Sequence, residues 1–191
     1  MKLRNFISGV LNGITATAII AVAATQLYAT ENSWSRKEIV RITHNDVYCL
    51  QQNIFFEARN QTVEGQVAVA WVTLNRLDND IYPDTICGVV KQAKRDSSGK
   101  VIRNMCHFSW YCDGKSDRIP TNKVSQAAWQ QAGIVAQVVL MDRMAGYIFK
   151  DPTYGSIMYH SIKVSPYWRT AYDLVTKVDD HIFYKWGKNE K

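Results

Sequence analysis

With 191 residues, 23 Lys and Arg against 17 Asp and Glu, and a formal net charge of +6, the chain has room for one domain with a real core plus a short extension. The positive excess is spread out, without a run of five like charges and without a recognisable nucleic-acid-binding motif. An acidic polymer or a membrane surface is therefore the expected class of partner, and nucleic acid is not.

Lys2 and Arg4 precede Phe6 to Leu27, a run of 22 residues without a charge. At ~1.5 Å of rise per residue such a helix crosses a hydrocarbon core of ~30 Å. Positive charge ahead of it keeps the N-terminus in the cytoplasm and sends the remainder outward. The run is rich in Ala, Gly and Thr, and Leu27-Tyr28-Ala29 is an imperfect signal-peptidase site. Residues 1–30 are thus expected to be a signal peptide or a signal-anchor helix of the inner membrane. The rest is exported, either periplasmic or anchored on the outer side of that membrane. Residues 31–45 read as a linker, and 46–188 as the folded domain.

Asn45 or Asp46 is placed to cap a first helix. Within it Val47, Leu50 and Ile54 step by three and four, and the next step of three lands on Glu57. A carboxylate thus stands in the seam that the helix turns toward the core. Burying an unpaired charge is costly, so such a Glu is paired with a neighbouring Arg, protonated, or at work in a cleft. Phe55 and Phe56 beside it, and its place in the last helical turn, favour the protonated form that general-acid chemistry needs. Thr62 caps a second helix running to about Leu77. Its Val67-Ala68-Val69-Ala70-Trp71-Val72 is apolar on every side, so this helix should be central and should form a hairpin with the first. Tyr82-Pro83-Asp84-Thr85 is a turn, and Thr85 caps a short helix through Val90.

Lys94 to Asn104 reads as an exposed loop or hairpin tip around Asp96-Ser97-Ser98-Gly99-Lys100. Cys106 to Asp117 is irregular and aromatic. Ser125 opens a long amphipathic helix with Ala128, Ala132, Val135, Val139 and Ala145 inward. Residues 156–160 and 181–186 are β-prone runs that can pair as an antiparallel ribbon, with 161–178 as the excursion between them. The fold class is mainly α with a small antiparallel β-ribbon.

Cys49, Cys87, Cys106 and Cys112 all fall in the exported part. In an oxidising compartment four Cys are most simply two disulfides, whose three possible connectivities the sequence does not separate. Zinc competes poorly, because Cys106 and Cys112 are too far apart for a tight ligand pair and Cys49 and Cys87 stand alone. Cys49 as a thiol nucleophile, with His160 or His181 as base, is a less economical alternative.

Several strings occur together in one order: Asn53-Ile54-Phe55-Phe56-Glu57-Ala58-Arg59, Glu64-Gly65-Gln66-Val67-Ala68-Val69-Ala70, Leu74-Asn75-Arg76 and Tyr82-Pro83-Asp84-Thr85-Ile86-Cys87. Cys106-His107-Phe108-Ser109-Trp110-Tyr111-Cys112-Asp113-Gly114, Met158-Tyr159-His160 with Pro166-Tyr167-Trp168, and His181-Ile182-Phe183-Tyr184 follow. Over about residues 46–186 the chain resembles the SleB-type cell-wall hydrolase family, which includes spore cortex-lytic enzymes and many phage lytic proteins. The resemblance implies a lysozyme-like, lytic-transglycosylase-type fold acting on peptidoglycan glycan strands, with the family's catalytic Glu at Glu57. Three departures stand out: Asn60-Gln61 where the family usually has Gly-Glu, His107 where it has Gln, and Met158 where it has His.

The resemblance makes Gln66, Ser109, Tyr159 and His160 candidates for binding sugar hydroxyls or N-acetyl groups, against a structural hydrogen bond for each. Trp110, Tyr111 and Trp168 could stack on sugars or belong to the core. Asp113 and Asp117 read as solvated or turn-forming, Glu64 as a first-turn acid, His181 as a rim residue, and Arg59 and Arg76 as braces. No metal or cofactor is expected, and the partners are peptidoglycan and, through the N-terminal segment, the inner membrane, with the chain a monomer. Two other readings compete: an amidase cutting between muramic acid and L-alanine, and a non-catalytic wall-binding protein. Against a zinc amidase, His44, His107, His160 and His181 lack a close ligand spacing.

Overall fold

The first helix, α1 (His44–Ala58), begins one turn earlier than its acidic residue suggests. Thr43 is the N-cap, accepting from the Asp46 backbone N–H, while Asp46 reaches back to the Thr43 N–H at 2.9 Å. This reciprocal pair makes Asp46 the third helical residue instead of the cap. In this computed structural model residues 42–187 are described, so the segment expected to be a signal or anchor, and most of the linker, lie outside the described residues.

Cys49, Leu50, Ile54, Phe55 and Ala58 bury one side of α1 completely. Thr62 caps α2 (Val63–Leu77), whose Ala68, Val69, Ala70, Val72 and Leu74 have no exposed surface. The all-round apolar run thus lies at the centre, as its pattern requires. Thr85 caps α3 (Ile86–Val90), and the Cys49–Cys87 disulfide ties α1 to it. The strands β1 (Ala93–Arg95) and β2 (Val101–Cys106) form an antiparallel hairpin. At its tip Asp96 Oδ1 accepts from the backbone N–H groups of Ser98 and Lys100. Cys106–Cys112 then closes onto a 3-10 turn at Ser109–Cys112. All four Cys are therefore in disulfides, which removes both the zinc reading of the Cys set and the Cys49 nucleophile.

The long helix α4 (Lys123–Met144) is capped by Asn122, and Ser125 is the residue whose N–H that cap receives. Ala132, Val135 and Val139 are buried along α1 as expected, but Ala145 lies past the helix end and is exposed.

The chain finishes in a three-stranded antiparallel sheet of β3 (Met158–Ser161), β4 (Tyr172–Val178) and β5 (His181–Trp186), in the order β3-β5-β4. The expected ribbon is the β3–β5 pair, with Tyr159 opposite Phe183 and Ser161 opposite His181. The excursion holds a third strand that the pattern concealed. β4 is an edge strand carrying Asp173 and Lys177, with a register shift between Leu174 and Thr176 that breaks its alternation.

Two contacts fasten this sheet to the helices. Asp179, in the β4–β5 turn at φ 48°, accepts from Thr62 N–H at 2.9 Å and Thr62 Oγ1 at 2.6 Å. A carboxylate at the positive end of α2 is favourably placed. A Cβ at position 65 would collide with that carboxylate, which is why Gly65 is needed there. Gln61 holds the same turn from both sides, accepting from Asp180 N–H at 3.1 Å and donating to its Oδ2 at 3.4 Å. At the other end of α2, Asn75 Nδ2 donates to Asp151, Thr153 and the Ser156 carbonyl, and Arg76 Nε donates to the Ile157 carbonyl at 2.7 Å.

The two disulfides differ in the chain they close, 38 residues for Cys49–Cys87 and 6 for Cys106–Cys112. Replacing each pair by Ala should cost about 4 kcal/mol for the first and about 2 kcal/mol for the second. Denaturant unfolding of the two variants checks the ranking, and equal or inverted losses would refute it.

Candidate active site

Glu57 lies in the last turn of α1, half-buried, and lines a cleft of about 1270 Å³. One wall comes from the β1–β2 hairpin and the segment after the 3-10 turn, the other from β3, the segment up to Trp168, and His181. The stripe that runs Val47, Leu50, Ile54 therefore ends in the cleft instead of the core. Phe56 beside it stacks on Trp110 at 4.7 Å, whereas Phe55 turns into the core against Trp129.

Tyr159 Oη donates to Glu57 Oε2 at 3.0 Å, bringing together residues 102 apart in the chain. Burial raises the Glu57 pKa above its ordinary 4.5, and it outweighs the Tyr159 hydrogen bond and the positive charge of Arg76, which both lower it. Burial and the neighbouring carboxylate push Tyr159 well above its ordinary value, so its hydroxyl stays a donor. Among the described residues Glu57 makes no ion pair, since the Arg59 guanidinium lies over the Phe55 ring at 5.1 Å. The alternative of a Glu57 paired with its neighbouring Arg is thereby set aside.

Arg76 is 3% exposed. Besides the Ile157 carbonyl, it meets Met158 Sδ at 3.6 Å and the faces of Phe108 at 4.6 Å and Tyr82 at 5.6 Å. Its Nη1 has no hydrogen-bond partner. Two of the three sequence departures belong to this neighbourhood. Met158 takes a guanidinium N–H, and His107, edge-on to Tyr82, has its pKa lowered by burial and by Arg76. The third, Gln61, is engaged with Asp180 and is absent from the cleft lining, so no cleft carboxylate is lost at that position.

The other candidate residues separate clearly. Ser109 is exposed in the cleft, and its hydroxyl engages no described residue. His160 lines the cleft, but both ring nitrogens are occupied, Nδ1 by the Ser161 carbonyl and Nε2 by the Tyr184 hydroxyl, each at 2.9 Å. Because a carbonyl only accepts, Nδ1 carries the proton and Nε2 accepts from Tyr184. Gln66 does not reach the cleft: it is buried in the first turn of α2, with Nε2 on the Gln61 carbonyl at 3.4 Å. Trp110 is buried yet lines the cleft beside Phe56, and Tyr111 does not line it. Trp168 lines it while packing edge-on against His160, Tyr172 and Tyr184. Tyr167, which the sequence did not single out, stands 92% exposed on the rim.

Besides Glu57, the cleft-lining carboxylates among the described residues are Asp113 and Asp117; Glu64 is elsewhere. Asp113 is held low by the Lys115 backbone N–H, and Asp117 is raised by burial and by Asp113. No group of three or more His, Cys, Asp or Glu side chains among the described residues is placed to hold a metal ion. Sequence reasoning missed Asn53, fully buried, which accepts from Trp110 Nε1 at 3.0 Å and donates to Thr73 at 3.1 Å, fixing the Phe56–Trp110 wall to both central helices. An Asn three residues after Leu50, on the stripe that the helix buries, was the available signal.

The fold is similar to that of the catalytic domain of the germination-specific lytic transglycosylase SleB from Bacillus anthracis, with a TM-score of 0.50 and 24% identity, over 76% of this chain and 98% of that one. In sequence the chain is 26% identical over 144 residues to the spore cortex-lytic enzyme of Oceanobacillus iheyensis, covering 75% of this chain and 42% of that protein. A 48-residue stretch is 44% identical to the spore cortex-lytic enzyme of Bacillus subtilis, 25% of this chain and 16% of that one. The chain thus spans less than half the length of these curated relatives. The family described as cell wall hydrolase matches residues 60–184, beginning three residues after Glu57. With a match that takes in α2, both sheets and most of the cleft lining, the chain belongs to the cell wall hydrolase family.

Proposed function

We propose that the chain is a lytic transglycosylase that cleaves the β-1,4 bond between N-acetylmuramic acid and N-acetylglucosamine in peptidoglycan, with Glu57 as acid and then base. The observation that carries this reading is the hydrogen bond from Tyr159 Oη to Glu57 Oε2 within the cleft. It fixes one carboxyl oxygen as an acceptor and leaves the proton of the neutral acid on Oε1, which no described residue engages. Family membership and the fold likeness support the same substrate class.

Glu57 gives its proton to the glycosidic oxygen as the bond to muramic C1 breaks, and the glucosamine leaves with a free hydroxyl. Positive charge at C1 is stabilised by the substrate's own N-acetyl group, so no second carboxylate is required. The Glu57 carboxylate then takes the proton of the muramic C6 hydroxyl as that oxygen bonds to C1, closing a 1,6-anhydro ring. No water is consumed, and Glu57 ends protonated as it began. Ser109 and the exposed face of Tyr167 are the groups placed to meet sugar hydroxyls and rings. The disulfides and the charge-flanked apolar N-terminus support an enzyme on the wall side of the inner membrane, serving wall remodelling or phage-driven lysis, and acting as a monomer.

Mass spectrometry of products from purified peptidoglycan tests the reaction. The wild type should release fragments ending in anhydro-muramic acid, and Glu57→Gln should release at least about a hundredfold less. Reducing-end muramic acid would mean hydrolysis and direct attention to Asp117. Intact peptidoglycan with the wild type would leave the wall-binding reading standing. Amidase products would be lactyl-free stem peptides.

The acid must be protonated, so activity should fall as pH rises through the raised Glu57 pKa. Tyr159→Phe removes a hydrogen bond that lowers that pKa, so this limb of the pH–rate profile should move to higher pH. A limb that stays or moves down contradicts the assignment.

Stability carries the same imprint. Between 4.5 and the raised value the folded state binds more protons than the unfolded one, so wild-type stability declines with rising pH across that window. Glu57→Gln lacks this decline. Its Tm relative to wild type should therefore climb as pH rises above 4.5 and then level off, and a flat difference would show that Glu57 is not desolvated.

A further inference from the structure

The cleft carries positive charge that the chemistry at Glu57 does not use. Lys94 on β1 and Arg118 beyond the 3-10 turn both line it, both are exposed, and neither pairs with a carboxylate among the described residues. The acids on the same wall are otherwise engaged. Asp113 takes the Lys115 backbone N–H at 2.8 Å and its ammonium at 3.5 Å, and Asp117 feels Lys91, which lies outside the cleft lining.

That wall is also firmly held. Cys106–Cys112 clamps the 3-10 turn to β2, and Arg103 on β2 donates to the Asp113 carbonyl through Nε at 3.2 Å and Nη2 at 3.0 Å. At Gly114, φ +82°, the backbone passes so close to the Arg103 guanidinium that a Cβ would press into it. Lys94 therefore projects from a braced hairpin, with Arg118 four residues beyond Gly114, and unpaired cations lining a cleft favour anionic ligands.

A strand of N-acetylated sugars whose lactyl groups are amide-linked is uncharged. The peptides hanging from those lactyl groups carry free carboxylates. We propose that Lys94 and Arg118 form a subsite for the stem-peptide carboxylates of peptidoglycan, so that the enzyme selects peptide-bearing glycan over peptide-free glycan. The subsite rests on the glycan-cleavage reading above and adds to it which strands are cut.

The full chain is assayed on soluble glycan strands with their stem peptides and on the same strands stripped of peptide by an amidase, the freed lactyl carboxylates being capped as methylamides so that the stripped strand is uncharged. At ~50 mM salt the ratio of kcat/KM for peptide-bearing to stripped strands should be about fivefold, the size expected of one or two solvent-exposed ion pairs. It should shrink toward one at ~0.5 M salt, where screening is strong. Lys94→Ala with Arg118→Ala should bring the ratio toward one, and the charge-conserving exchange Lys94→Arg with Arg118→Lys should keep it. Equal rates on both strands, or a preference untouched by the double Ala variant, would overturn the subsite while leaving cleavage at Glu57 intact. Failure of the wild type to cut either strand would overturn the glycan-cleavage reading and the subsite with it.

Discussion

A buried guanidinium organises this molecule. Taking Arg76 out of water costs several kcal/mol unless its charge is met, and the fold meets it with one short bond to a backbone carbonyl, a thioether and two aromatic faces. No carboxylate pairs with it directly. Those partners come from the turn before α3, the segment after β2, and the start of β3, so satisfying Arg76 on α2 obliges the helical layer, the hairpin side and the sheet to converge. Glu57 and Tyr159 stand at that convergence. The same cation sets a limit on the acid, since its field favours ionised Glu57 while burial opposes it more strongly.

The opposite end of α2 supplies the second anchor. Asp179 and Gln61 hold the β4–β5 turn on the helix N-terminus, and β5 in turn holds β3 in register. With both ends of one buried helix gripping the sheet, Tyr159 has little freedom to leave Glu57. His160, next along β3, is fully engaged by Ser161 and Tyr184 and fixes the same strand from its other face.

Much of the helical layer was legible because caps and apolar steps are local. Thr62 and Thr85 sit where the reading put them. The starts of α1 and α4 were misplaced by two or three residues for one physical reason: a cap and the residues just inside the helix are alike small and polar, so Asn45 or Asp46 was read as the cap in place of Thr43, and Ser125 as the opening residue of a helix that Asn122 caps. β4 was invisible because an edge strand with a register shift keeps no alternation. At the site, Glu57 announced itself by breaking an apolar stripe, whereas Tyr159 emerged through the family resemblance alone, its partner being far away in the chain. Gln66 carried the same resemblance and lies outside the cleft, because its side chain is buried at the start of α2 against the Gln61 carbonyl. Arg76 was read as a brace, and its contacts are those of one.

The 102 residues between Glu57 and Tyr159 have a consequence for when the protein can act. Until β3 and β5 have docked, Glu57 lacks the burial that raises its pKa and the hydroxyl that engages one of its oxygens. A chain whose last strands have not docked therefore lacks the Tyr159–Glu57 pair, however complete its helices. The pair is assembled only with the last strands, which ties the completed site to completion of the fold.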